Sequence, residues 1–101
     1  MNGKRRHPKS VLDTEKGVCY LCGKVGDTEL HHCVFGSGYR KISDRLGLVV
    51  YLCHECHQGT EGVHGRDGDE KNRQLKREAQ EAWEKTHSHS EWMQIVGRNF
   101  L

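Results

Sequence analysis

Two short segments of the sequence have the hydrophobic pattern of β-strands. Residues 48–52, LVVYL, form an apolar run rich in β-branched side chains and are the most strand-like part of the chain. Residues 29–35 form a second segment, which Gly36, Ser37 and Gly38 interrupt. Between the two, residues 41–46 predict a helical turn that ends at Gly47. The pattern therefore predicts a pair of short strands.

The last third of the chain has helical periodicity instead. A helix is predicted over residues 70–86, with Asp69 as its N-cap, because its apolar residues fall on one face: these are Leu75, Ala79, Ala82 and Trp83. A second, shorter helix is predicted over residues 91–96, capped by Ser90 and closed by Gly97. Strands followed by helices predict the α+β class.

Composition limits what such a domain can bury. The chain has 101 residues, of which 34% are hydrophobic and 30% charged, so we expect one domain with a small core. Residues 1–16 are basic and lack periodicity, and are predicted to form a flexible N-terminal arm, with the domain over residues 17–101. The net charge of +2 is too small to indicate nucleic-acid binding by itself.

The cysteines supply a second source of stability. Four of the five form two C-x2-C pairs separated by thirty residues, the spacing of a closed structural zinc site: Cys19, Cys22, Cys53 and Cys56. Cys33 is left over and is predicted to be a small buried hydrophobic residue. The zinc spacing of the cysteines and a basic N-terminus without an apolar stretch predict a cytoplasmic protein. The lack of a long apolar segment predicts that it has no membrane span.

The histidines indicate a second site. His31 and His32 are adjacent on a predicted strand, so their side chains point to opposite faces. His57 follows the last zinc cysteine, and His64 lies seven residues further on. If the two cysteine pairs meet at one zinc ion, they bring His31 or His32 toward His57 and His64. Imidazoles around a divalent ion, beside a free histidine, form a hydrolytic site.

The segment from Cys19 to His64, with CYLCG, ELHHCVFG and YLCHECHQGTEGVHG in that order, resembles the zinc-knuckle branch of the HNH endonucleases, especially small phage-encoded members. The resemblance implies a zinc-stabilised, treble-clef-like ββα-metal domain with C-terminal helices. It also implies that His31 and His57 bind a catalytic divalent ion (Mg²⁺, Mn²⁺, Ni²⁺ or Zn²⁺) and that His32 is the general base.

The sequence departs from the family pattern at two positions. The family's middle asparagine, which holds the loop between the strands, has no counterpart here, and Ser43 and Asp44 are the candidates to replace it. The last metal ligand commonly lies four residues after the Cys-His histidine, where this chain has Glu61. We favour His64 as that ligand because imidazole suits borderline metals, with Glu61 as the alternative.

These features together predict a DNA endonuclease that hydrolyses phosphodiester bonds with a single catalytic metal ion. Arg40, Lys41 and Arg66 are the predicted phosphate contacts. Two alternatives stay open: a zinc-binding DNA or protein adaptor that has lost catalysis, and a phage-encoded inhibitor of a host system. The inhibitor would require a tight protein partner, bound through Trp83, Trp92 and Phe100, but we favour ordinary packing of the C-terminal helices as the role of these aromatic residues.

Overall fold

A computed structural model describes residues 10–101 and has the predicted α+β class. Its elements are β1 (Glu29–His32), α1 (Tyr39–Leu46), β2 (Val49–Leu52), α2 (His54–Gln58), α3 (Asp69–Trp83) and α4 (His89–Ile95). The two strands pair antiparallel, from Glu29 opposite Leu52 to His32 opposite Val49. None of the helices within residues 10–101 is long and apolar enough to cross a membrane.

The core lies between the sheet and the two C-terminal helices. Leu48, Val50 and Leu52 are fully buried, and the predicted apolar face of α3 packs in the same cluster through Leu75 and other residues. Trp83 and Trp92 are also part of this core. The two indoles lie 5.7 Å apart, and Trp92 donates its indole N–H to the Arg98 carbonyl. The burial of both tryptophans confirms the prediction that they pack between the C-terminal helices, and it does not support their use as contacts with a protein partner.

Several predicted boundaries were wrong by a few residues, and local hydrogen bonds explain each shift. The first strand ends at His32 instead of Phe35, because the backbone groups of Val34 turn to the Ser43 hydroxyl. The long helix ends at Trp83, and the amides of Lys85 and Thr86 close a tighter turn beyond it. Gly68, not Asp69, is its N-cap.

The last helix begins at His89, because its N-cap is Ser88 and not Ser90. Ser88 accepts a hydrogen bond from the Glu91 amide at 3.0 Å, and the Glu91 carboxylate accepts one from the Ser88 amide. This reciprocal pair is a capping box, which needs Glu three residues after the cap. Only Ser88 has a glutamate at that distance.

The predicted N-terminal arm needs correction over its second half. Residues 1–9 lie outside the described residues, but residues 10–16 pack against the sheet. Leu12 and Thr14 are buried, and the Thr14 hydroxyl accepts a hydrogen bond from the Tyr51 amide at 3.0 Å. Ser10 donates its hydroxyl to the Val49 carbonyl at 2.7 Å. These contacts satisfy backbone hydrogen-bonding groups on the outer edge of β2, so this segment belongs to the domain.

Candidate metal centres

The four paired cysteines form one cluster. Their sulfur atoms all lie within 4.8 Å of one another. Within each pair, the amide of the second cysteine points at the sulfur of the first at 3.5 Å, for Cys22 to Cys19 and for Cys56 to Cys53. The Cys22 and Cys53 sulfurs are 3.8 Å apart, which is too long for a disulfide but suits two ligands of one ion. These cysteines can therefore hold a structural metal such as zinc.

The sheet brings the two cysteine pairs together. Cys53 follows β2 directly, and the first pair is attached beside it by a hydrogen bond from the Tyr20 amide to the Tyr51 carbonyl at 2.8 Å. Gly23 closes the first turn with a positive φ of 79°, and its amide donates to the Cys19 carbonyl at 2.9 Å. Cys33 does not join the cluster; it is fully buried in the core, as predicted.

The electrostatics of the cluster favour a bound cation. Burial alone would raise the pKa of Cys19, but the nearby backbone amides, above all that of Cys22, outweigh burial and lower that pKa to about 6. Burial and the neighbouring sulfurs raise the pKa of Cys56. Four such groups cannot all ionise side by side without a compensating positive charge, and a divalent ion supplies it.

Three histidines form a second cluster beside the first. Potential donor nitrogens of His31, His57 and His64 all lie within 4.8 Å of one another, and the ring centroids are 4.9–5.1 Å apart. His31 comes from β1, His57 from α2 and His64 from the loop that follows α2. Phe35 packs edge-on against the rings of His31 and His64 and forms one wall.

The loop that carries His64 folds back tightly onto α2. Its glycines recur at every third position from Gly59 to Gly68, and all four have no room for a side chain because backbone carbonyls lie against them, most closely at Gly65 and Gly68. The His64 amide donates to the His57 carbonyl at 3.0 Å, which brings the two rings together. Glu61, the alternative ligand, lies instead on a separate groove with Asp67 and Lys71.

His31 fits a metal ligand by its burial and its missing partners. It is 1% exposed, and neither of its ring nitrogens has a hydrogen-bond partner among the described residues. Burial, and then electrostatic repulsion from the neighbouring His57 and His64 rings, lowers the pKa of His31 to about 3. A neutral, buried imidazole without partners can present a lone pair to an ion, which would offset part of its desolvation.

A carboxylate holds the His57 ring from behind. Oε1 of Glu29 lies 2.7 Å from His57 Nδ1, and its other oxygen lies 3.0 Å from His54 Nδ1. The hydrogen bonds with His54 and His57 lower the pKa of Glu29 to about 2. Glu29 was not among the predicted site residues, although strand alternation places residues 29 and 31 on the same face of β1 and could have indicated it.

His32 lies outside the three-histidine cluster but beside it. His32 and the three-histidine cluster line the same pocket of about 230 Å³, which Arg40 also lines. Nε2 of His32 is 3.5 Å from the Asp44 carboxylate, and Lys41 borders the adjoining pocket with His32. Arg66, the third predicted phosphate contact, is not among the described residues that line either pocket; its guanidinium lies 3.7 Å from Asp67.

Ser43 occupies the role that the sequence left open, which is to hold the loop between the strands. Its side chain is fully buried, donates a hydrogen bond to the Val34 carbonyl at 2.5 Å and accepts one from the Val34 amide at 3.1 Å. Ser43 thus satisfies both backbone groups at the point where the chain leaves β1. Asp44, the other candidate, is exposed and faces His32.

Replacing Ser43 with alanine is expected to destabilise the protein by about 1–3 kcal/mol, because it leaves the buried Val34 amide and carbonyl without partners. Chemical denaturation of the variant and the parent measures the difference. Ser90→Ala on the exposed side of α4 is the matched control and should change stability by no more than about 0.5 kcal/mol. Equal unfolding midpoints for the two variants would contradict the role assigned to Ser43.

No protein-family model matches this sequence, and no curated protein or solved structure is detectably similar to it.

Proposed function

We propose that this protein is a metal-dependent DNA endonuclease of the HNH type, with a zinc ion on its four cysteines and a catalytic divalent ion on His31, His57 and His64. The main support is the position of His32. It is adjacent to His31 on β1 and lines the same pocket as the three-histidine cluster, but it is not among the converging donors. In the proposal its imidazole therefore serves in proton transfer instead of metal binding.

In the proposed reaction, neutral His32 takes a proton from the water that attacks the phosphorus atom. The bond between phosphorus and the 3′ oxygen breaks, and that oxygen takes a proton from solvent, so the products are a 5′-phosphate and a 3′-hydroxyl. Asp44 orients the His32 ring through its carboxylate, which is 3.5 Å away. Arg40 and Lys41 are exposed beside this pocket and bind the flanking phosphates of the DNA. A divalent ion, when bound, supplies positive charge that stabilises the phosphate during attack.

The donor set favours some metals over others. Among the described residues, the three groups that converge are all imidazoles, while the Glu29 carboxylate contacts His57 and is not part of the converging set. Imidazole suits Zn²⁺, Ni²⁺ and similar ions, whereas Mg²⁺ prefers carboxylate and water oxygens. We therefore include in the proposal that the histidine cluster binds Zn²⁺ or Ni²⁺ more tightly than Mg²⁺.

The same proposal places the protein in a reducing compartment such as the cytoplasm. All five cysteines are free, and the four that cluster have the arrangement of metal ligands rather than of disulfides.

Metal content tests the two-site arrangement. His57→Ala and His64→Ala should each lose the second ion and keep the zinc, because the two clusters share no ligand. Elemental analysis after mild chelation and reloading with Ni²⁺ measures both metals. Glu61→Gln is the matched control and should keep both, since Glu61 lies on the separate groove.

Plasmid nicking by the same variants tests the function. The parent and Glu61→Gln should nick, and the two histidine variants should not. If the parent holds only the zinc and fails to nick DNA with any common divalent ion, the adaptor becomes the better interpretation. Loss of both metals from His57→Ala would contradict the two-site arrangement.

A further inference from the structure

We propose that Glu29 is a positioning residue that selects the ring tautomer of His57 and so turns its Nε2 lone pair toward the histidine cluster. The inference rests on the proposed function, because it assigns to Glu29 a role in the binding of the second ion. Neither the cysteine spacing nor the resemblance to HNH endonucleases points to this residue.

The contact between Glu29 and His57 fixes which nitrogen carries the proton. A carboxylate accepts hydrogen bonds and cannot donate them, so Nδ1 of His57, 2.7 Å from Oε1, must carry the hydrogen. A neutral imidazole has only one such hydrogen. Nε2 is then left with its lone pair, and it is the only nitrogen of that ring that can bind an ion.

The carboxylate is itself held in place. Oε1 also accepts a hydrogen bond from the Gln58 side chain at 3.1 Å, and Oε2 lies 3.0 Å from His54 Nδ1. Glu29 begins β1, two residues before His31, while all three of its partners lie on α2. The carboxylate therefore joins the two elements that carry His31 and His57. Since the His57 side chain is 11% exposed, little water competes for its Nδ1.

The consequence for metal binding follows from the direction of this hydrogen bond. A carboxylate behind an imidazole holds the ring in the ligating orientation and makes it a stronger donor, and loss of such a partner typically lowers metal affinity about 10- to 100-fold. His54 shares the same carboxylate but is not part of the converging donor set.

The first measurement is made on the zinc-loaded full chain without a second ion. Long-range ¹H–¹⁵N correlation spectra at mildly alkaline pH report which ring nitrogen of each histidine is protonated. In the parent, His57 should be protonated at Nδ1. Glu29→Ala should convert His57 to a mixture or to the Nε2-protonated form, and Glu29→Gln should keep the Nδ1 form because its amide oxygen can still accept.

The second measurement is a Ni²⁺ titration of the same proteins by calorimetry. Glu29→Ala should bind Ni²⁺ about 10- to 100-fold more weakly than the parent, with Glu29→Gln in between. Glu61→Gln, whose carboxylate lies on the separate groove, should leave the affinity unchanged. Zinc content and thermal unfolding confirm that each variant is folded, and if Glu29→Ala does not fold, the parent and Glu29→Gln spectra decide.

An Nε2-protonated His57 in the parent overturns the inference, and so does an unchanged Ni²⁺ affinity in Glu29→Ala. A purely structural tie between β1 and α2 would instead lower the stability of Glu29→Ala without changing the tautomer. If the parent binds no second ion at all, the proposed function fails, but the tautomer of His57 still reports on Glu29.

Discussion

Replacing Cys53 with serine will leave the protein largely unfolded. A structural zinc ion on four cysteines supplies about 10 kcal/mol or more of folding free energy, a large amount for a domain whose net stability is about 5–15 kcal/mol. Cys53 is buried, accepts a hydrogen bond from the Cys56 amide and starts α2, so its loss opens the cluster where the sheet meets that helix. Cys22→Ser should behave in the same way.

Circular dichroism during thermal unfolding, together with zinc content, measures this effect. Cys33→Ala is the matched control, because it removes a buried sulfur outside the cluster and should cost only about 1 kcal/mol. The structural role of zinc would be refuted by a Cys53→Ser variant that melts cooperatively near the temperature of the parent.

The second large effect concerns activity and not stability. Under the proposed function, His32→Ala should lower plasmid nicking by about 10²- to 10⁴-fold, because it removes the proposed acceptor of the proton from the attacking water. The variant should stay folded and keep both metals, since His32 is not among the converging donors of either cluster. It should also still bind DNA, because Arg40 and Lys41 are unchanged.

His31→Ala separates the two neighbouring roles. This variant should lose affinity for the second ion, and excess Mn²⁺ should restore part of its nicking. Metal binding and single-turnover nicking are each measured for His31→Ala and for His32→Ala. A His31→Ala variant that keeps its metal and loses only activity would mean that the two roles are reversed, and full nicking by His32→Ala would remove His32 from the mechanism.

The sequence predicted the cysteine cluster well, because ligand spacing is a local property. Two residues between paired cysteines fix a turn that can present two sulfurs, and this needs no knowledge of the rest of the chain. Strand alternation also separated His31 from His32 correctly, since neighbouring residues on a strand face opposite sides. Which of the two would meet His57 depended on the resemblance, because alternation does not show which face is inward.

What the sequence did not predict depends on contacts between distant residues. The hydrogen bond between Glu29 and His57 joins two residues that are 28 positions apart in the sequence. The choice between His64 and Glu61 depended on a loop that turns back on itself through repeated close backbone approaches, which residue spacing alone does not describe. The packing of Leu12 and Thr14 on β2 was missed because a segment without periodicity can still fill the edge of a sheet.

Helix α2 places a cysteine of one cluster and a histidine of the other at consecutive positions, Cys56 and His57. Only one peptide bond separates the two centres along the chain, and the five-residue helix is too short to be stable without its surroundings. Under the proposed function, zinc on Cys56 therefore also helps to place His57 for the second ion. Nuclease activity would then depend on the supply of zinc, although the zinc on the cysteines takes no part in the proposed reaction.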